Sequence, residues 1–270
     1  LEKYHTQGTV EQRAKSIKVI GTVIYEVIDL GLDSKSWVAL TQFFVSKLRD
    51  VHCVLPAIRS IHALLKFHTQ SVKESQSKGD GCLTTLLTGI SSPSIHIPAY
   101  NQKVRMVAFK WYEYILNHYK EFFKVEDPTN GDISKEDGTN NSNPIHIPYS
   151  TILSAVLTAI ESEKDPRNLL VSFELTRLIL SILGNDDESV KVIEPFIDEI
   201  FENISWYYPI EFEPPKNDKF KITSKELKDR LNNCFVASPV IAPLAFPFVL
   251  EKLTSVTEFA KKESLCTLQL

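Results

Sequence analysis

The chain has 270 residues, 43% apolar and 24% charged, enough to bury a core and solvate a surface as one large domain or two ordinary ones. Thirty Lys and Arg against 34 Asp and Glu leave a net charge of −4, the wrong sign for the basic stripe with which nucleic-acid binders hold phosphates. The longest apolar run, Val240–Leu250, is shorter than the roughly 20 residues of a membrane span and contains Pro243 and Pro247, while Glu2, Lys3, Glu11, Arg13 and Lys15 interrupt any signal-peptide core.

Apolar residues recur at helical spacing from the start. Thr9 and Gln12 form a capping-box pair, and Ile17, Ile20, Ile24 and Val27 step by three or four, so a helix is expected from Thr9 to a stop at Gly31. A second is expected over Ser34–Leu48, through Trp37, Leu40 and Phe44, and a third over His52–Phe67, through Ala57, Ile58, Ile61, Leu64 and Leu65. Ser71–Gly81, rich in Ser, Lys and Gly, reads as a loop. A short helix follows at Cys82–Ile90, then a long one at Tyr100–Phe123 with Val104, Ala108, Trp111 and Ile115 as its stripe. The polar, acidic insert Glu126–Asn143 is expected to be disordered.

Another helix begins near Tyr149, and the next opens at Asp165-Pro166, a capping side chain followed by a residue with no N–H to leave unpaired. Its stripe is Leu169, Phe173 and Leu180. Helices over Ser189–Ile204, Thr223–Val236, Pro239–Leu253 and Val256–Leu268 bring the expected number to about eleven, with no strand. Between them Trp206–Ile222 is aromatic and proline-rich, and its five aromatic side chains predict an ordered extended segment packed on the helices. The fold class is all-α.

Ile17 and Ile61 hold equivalent helix positions 44 residues apart, and Ala108 follows 47 further on. Ala108 and Phe173 are 65 apart, of which the insert supplies 18. A period of roughly 40–47 residues with two helices each is the signature of a HEAT or armadillo α-solenoid. Residues 1–270 read as a single solenoid segment, and the uncapped end in Leu268-Gln269-Leu270 suggests part of a longer chain.

Cys53, Cys82, Cys234 and Cys266 stand far apart with no Cys-x-x-Cys pair, a pattern of reduced, structural thiols in an intracellular chain. Gly79-Asp80-Gly81 lacks the third glycine and the leading strand of a dinucleotide loop. His62 and His68 are six apart and do not share a helix face. Two Ile-His-Ile-Pro segments, Ile95–Pro98 and Ile145–Pro148, suit extended lead-ins to helices better than a two-histidine metal site. Nucleophile and Walker motifs are missing, and the Lys216–Lys228 run is interleaved with Asp218 and Glu226. No catalytic, cofactor-binding or metal-ligating residue is assigned, and an enzyme is not expected.

Two stretches remain as candidate surfaces. Around Asp165, Arg167 and Asn168, the turn is either structural, with Arg167 bridging neighbouring repeats, or a partner contact. Around Tyr208, Pro209, Phe212, Pro214 and Pro215, the segment either caps an apolar edge or docks a partner.

Glu163–Phe173 (EKDPRNLLVSF) and Tyr207–Ile222 (YYPIEFEPPKNDKFKI) resemble the characteristic stretches of the MMS-nineteen/Met-eighteen (MMS19) family. Ala237–Leu268 and, more weakly, the Leu48-Arg49-Asp50 turn are similar as well. The resemblance covers most of the chain and matches the amino-terminal region of a protein several times longer. It implies a HEAT-repeat adaptor of the cytosolic iron–sulfur targeting complex, present in cytoplasm and nucleus and without catalysis or cluster ligands of its own. The implied partners are apo iron–sulfur proteins such as repair helicases, polymerases and primase. Contacts with the other targeting subunits are implied for carboxy-terminal repeats beyond this chain. Architecture and acidity alone also fit a nuclear-transport-receptor-like scaffold carrying protein cargo. A direct DNA-repair factor touching DNA would have to overcome the negative charge.

Overall fold

A computed structural model describes residues 7–27, 29–125, 145–217 and 219–270. The expected disordered insert at 126–143 lies outside them. The chain divides into two compact units, residues 1–155 and 156–270, and both are helical.

In the first unit, α1 (Val10–Glu26), α3 (Val54–Phe67) and α6 (Gln102–His118) pack side by side in chain order. Ile17, Ile61 and Ala108 are buried at their contacts, so the 44- and 47-residue spacings mark successive stacked helices. On the other side of this row, α2 (Ser34–Lys47) packs on α3, on α4 (Thr69–Ser77) and on α5 (Cys82–Ile90). This two-layer stacking of helix pairs is solenoid packing, in which each pair buries its stripe against the next. Long-range hydrogen bonds tie these elements together. Tyr119 Oη donates to the Leu65 carbonyl at 2.9 Å and Tyr100 Oη to that of Leu48 at 2.9 Å. Asp50, in the α2–α3 turn, pairs with Arg13 of α1 at 3.0 Å and accepts from the Cys53 thiol at 3.3 Å.

The helix starts follow the sequence. Thr9 and Gln12 form the reciprocal capping box, and Asn101 caps α6 through the N–H groups of Lys103 and Val104. The helix expected over Tyr100–Phe123 is shorter, Gln102–His118, and three further expectations change in this unit. First, α1 ends at Glu26 rather than Gly31. Second, 71–81 is not all loop, because α4 runs through it with Val72, Ser75 and Gln76 buried. The Gln76 amide makes the helix worth forming: it accepts from the N–H of Leu83 and Thr84 and donates to the Ile145 carbonyl at 2.7 Å. Third, one short parallel strand pair is present, β1 (Phe123–Lys124) with β2 (Ile147–Pro148), joining the two flanks of the insert.

α7 (Tyr149–Ile160) spans the boundary between the units. In the second unit, α8 (Pro166–Leu183) packs against α11 (Ser224–Phe235), and α12 (Ala242–Leu253) against α13 (Glu258–Thr267). The helix expected over 189–204 is split into α9 (Asp187–Ile193) and α10 (Ile197–Ser205), because Pro195 supplies no N–H to a continuous ladder. Thr223 and Glu226 cap α11 as a second capping box. Among the described residues no single helix is long and apolar enough to cross a membrane.

Candidate interaction surface

The turn that opens α8 is held by its own side chains. Asp165 accepts the Arg167 N–H at 3.0 Å as N-cap, and Pro166 occupies the first helical position. Behind the turn lies Glu163, 3% exposed. Its Oε1 accepts the N–H groups of Lys164 and Asp165, both at 2.9 Å, and its Oε2 accepts the Asn168 amide at 2.8 Å. Three donors around one carboxylate make its burial tolerable. Asn168 is fully buried and supports Glu163 rather than presenting itself to a partner.

Arg167 faces the other way. Its Nε lies 2.7 Å from Asp165 Oδ1 while Nη2 bonds Oδ2, a two-point pairing, and its guanidinium carbon sits 4.4 Å from the centre of the Phe220 ring. Arg167 thus links the α8 turn to the aromatic segment, which is where the structure brings the two candidate stretches together.

That segment is anchored at two points. Tyr207 Oη donates to the Glu163 carbonyl at 2.6 Å, and its ring meets Phe173 edge-on. Tyr208 is buried between Phe235 and Phe248, and its hydroxyl bonds Ser264 Oγ at 3.2 Å and Thr267 Oγ1 at 3.1 Å, reaching α13. Ile210 and Ile222 are buried as well, and Pro209 is half-buried behind a cis peptide bond. Trp206, by contrast, is 85% exposed, and Phe220 is also exposed and covers Arg167. Trp206 follows α10, whose buried stripe is Ile197, Ile200 and Ile204, and two residues beyond Ile204 the chain points away from that stripe.

Asp165, Arg167, Phe212, Pro215 and Phe220 line a cleft of about 260 Å³. Pro214 is exposed nearby in sequence, and Tyr208 and Asn168 are interior supports. An arginine, aromatic rings and prolines at a surface make a composition suited to holding a protein segment.

The sequence did not single out a neighbouring acidic cleft of about 470 Å³, lined by Glu161, Glu199, Glu202 and Trp206. Burial, with Glu161 and Glu202 close by, holds the Glu199 carboxyl above the usual carboxylate range. Glu199 and Glu202 lie a turn apart on α10, whereas Glu161 follows α7, so no local sequence pattern joins the three.

Three of the four thiols, Cys53, Cys82 and Cys234, are buried, while Cys266 on α13 is exposed, against the reading of all four as structural. Cys82 is buried 3.0 Å from Thr41 Oγ1, and Cys234 donates to the Phe173 carbonyl at 3.1 Å. Burial pushes Cys82 up to about 11, and burial with the Asp50 carboxylate pushes Cys53 up to about 11, away from reactive thiolate. The two Ile-His-Ile-Pro segments differ: Ile147-Pro148 is extended in β2, as expected of a lead-in, whereas Ile97-Pro98 opens a short 3-10 turn over Ile97–Ala99 in place of an extended stretch, with Ile95, Ile97 and Ile147 buried and His96 exposed. Among the described residues no three His, Cys, Asp or Glu side chains group as metal donors would.

A family model, MMS19_N, described as "Dos2-interacting transcription regulator of RNA-Pol-II", matches residues 1–270. The "DNA repair/transcription protein" Met-eighteen/MMS19 of Saccharomyces cerevisiae is 28% identical over 99% of this chain and 23% of its own length. The "MMS19 nucleotide excision repair protein homolog" of Dictyostelium discoideum is 27% identical over 95% of this chain and 20% of its own. That of Homo sapiens is 28% identical over 95% and 21%. The chain therefore spans about a fifth of the length of these relatives.

Proposed function

Because the chain belongs to the MMS19 amino-terminal family, we propose that it is a non-catalytic adaptor arm of the cytosolic iron–sulfur targeting complex. In this reading it helps hold apo iron–sulfur proteins of DNA replication, repair and transcription while their clusters are inserted, in cytoplasm and nucleus. The observation that carries the reading is the family match along the whole chain, together with relatives named for nucleotide excision repair and for repair and transcription. The surface chemistry supports it. The cleft at Arg167 and Phe220 offers a cation, aromatic rings and proline edges on a stacked-helix scaffold, which is material for binding.

An adaptor works by geometry: holding a client beside the delivering subunits raises their effective concentration without new chemistry. The targeting subunits would bind repeats beyond this chain, leaving this arm to position clients. Family membership leaves the transport-receptor reading without a supporting observation. The test is deletion of this segment from the full-length protein, followed by client co-purification and measurement of cluster occupancy in a client helicase. Loss of both is expected; retention of both would contradict the proposal.

A further inference from the structure

Within the first unit, α1 and α3 leave a groove of about 490 Å³ between them. The residues along it keep helical spacing: Ala14, Lys18, Gly21 and Tyr25 from α1, Arg59 and Ala63 from α3. The helices approach closely here, since a Cβ on Gly21 would overlap Ser60 Oγ. Small side chains at that approach leave the groove open above them, with Leu55, Pro56 and Tyr25 as apolar walls. At one end Tyr25 meets Phe67 edge-on at 4.8 Å, and both rings are exposed, so the apolar surface continues past the groove.

The rim has the opposite charge to the chain as a whole. Lys15, Lys18 and Arg59 are exposed and form no ion pair among the described residues. Glu26 is the one acidic residue in the lining. Three such cations around an apolar trough, on a chain of net charge −4, complement a ligand that is apolar in the middle and acidic at its flanks.

From Ala14 to Tyr25 the groove follows about three turns of α1, roughly 16 Å, the reach of three anchors at i, i+3/4 and i+7 on a docked helix. We propose that this groove binds an amphipathic helix of a partner protein, its apolar stripe between α1 and α3 and its Asp and Glu side chains against Lys15, Lys18 and Arg59. A phosphate backbone would meet the cations but would place nothing in the apolar trough.

The test uses the 270-residue chain and a fluorescein-labelled helical peptide of about 14 residues with a leucine stripe flanked by glutamates, read by anisotropy. Two controls carry lysines in place of the glutamates, or serines in place of the leucines. Saturable binding is expected for the acidic peptide and a roughly tenfold or greater loss for either control. Lys18→Glu with Arg59→Glu, both exposed positions, should weaken the acidic peptide by about the same factor, while Arg167→Ala should leave it unchanged. Absence of binding, equal binding of the lysine peptide, or indifference to the double variant would overturn the proposal. So would concentration-dependent self-association that the same double variant abolishes, since a second copy would then be the occupant. No client or targeting subunit is present in the assay, so its outcome is separate from that of the adaptor reading.

Discussion

Tyr208, which the sequence leaves between capping an apolar edge and docking a partner, is an interior residue. Its ring is enclosed by Phe235 and Phe248, and its hydroxyl bonds two side chains of α13. Tyr208→Phe should keep the packing and lose those bonds, lowering unfolding free energy by about 1 kcal/mol, read as a shifted denaturant midpoint at unchanged slope. Glu199 makes the opposite case. Burial and its two acidic neighbours raise its folded pKa, so the folded state binds the proton more tightly than the unfolded chain and ionisation at neutral pH opposes folding. Glu199→Gln should therefore raise Tm at pH 7, and the gain should vanish below the ordinary glutamate value of about 4.3, where both states are protonated. A thermal melt series from pH 7 to about pH 3 checks the sign. At this scale the sequence was legible where chemistry is local: the Asp165 cap and Pro166 start stand where the dipeptide placed them. It was silent on Glu163, which acquires its role from three donors gathered only in the folded turn.

Among the elements, α4 and α5 carry the most informative tests. Gln76 satisfies two N–H groups at the start of α5 and the carbonyl of Ile145, so Gln76→Leu leaves buried polar groups without partners. A loss of about 2–4 kcal/mol is expected, measured by chemical denaturation, with faster amide exchange at Leu83 and Thr84. Gly89 of α5 faces Val45 of α2 so closely that an added Cβ would overlap Val45 Cγ1. Gly89→Ala should cost about 1–3 kcal/mol, and Val45→Ala in the same chain should recover part of it, a coupling that separates close packing from a change in helix propensity. Most helices could be located from apolar spacing and caps. The helix α4 could not, because two of its three buried residues, Ser75 and Gln76, are polar and erase the stripe that periodicity detects. The break between α9 and α10 falls at Pro195, a proline inside the single helix expected over 189–204.

For the whole molecule, the 44- and 47-residue spacings correspond in the first unit to three helices packed in succession, so the stacked-pair architecture was written in the sequence. The candidate surface was only half legible. Its two stretches could be picked out, but not that Arg167 would lie on Phe220, because that contact joins positions 53 residues apart. The proposed recognition of iron–sulfur clients by this arm is tested most directly by the binding of the purified chain to an apo client helicase and, separately, to the other targeting subunits, with Arg167→Ala alongside. Binding to the client alone, weakened by Arg167→Ala, is the predicted result; no binding to the client, in the presence of a correctly folded chain, would contradict it.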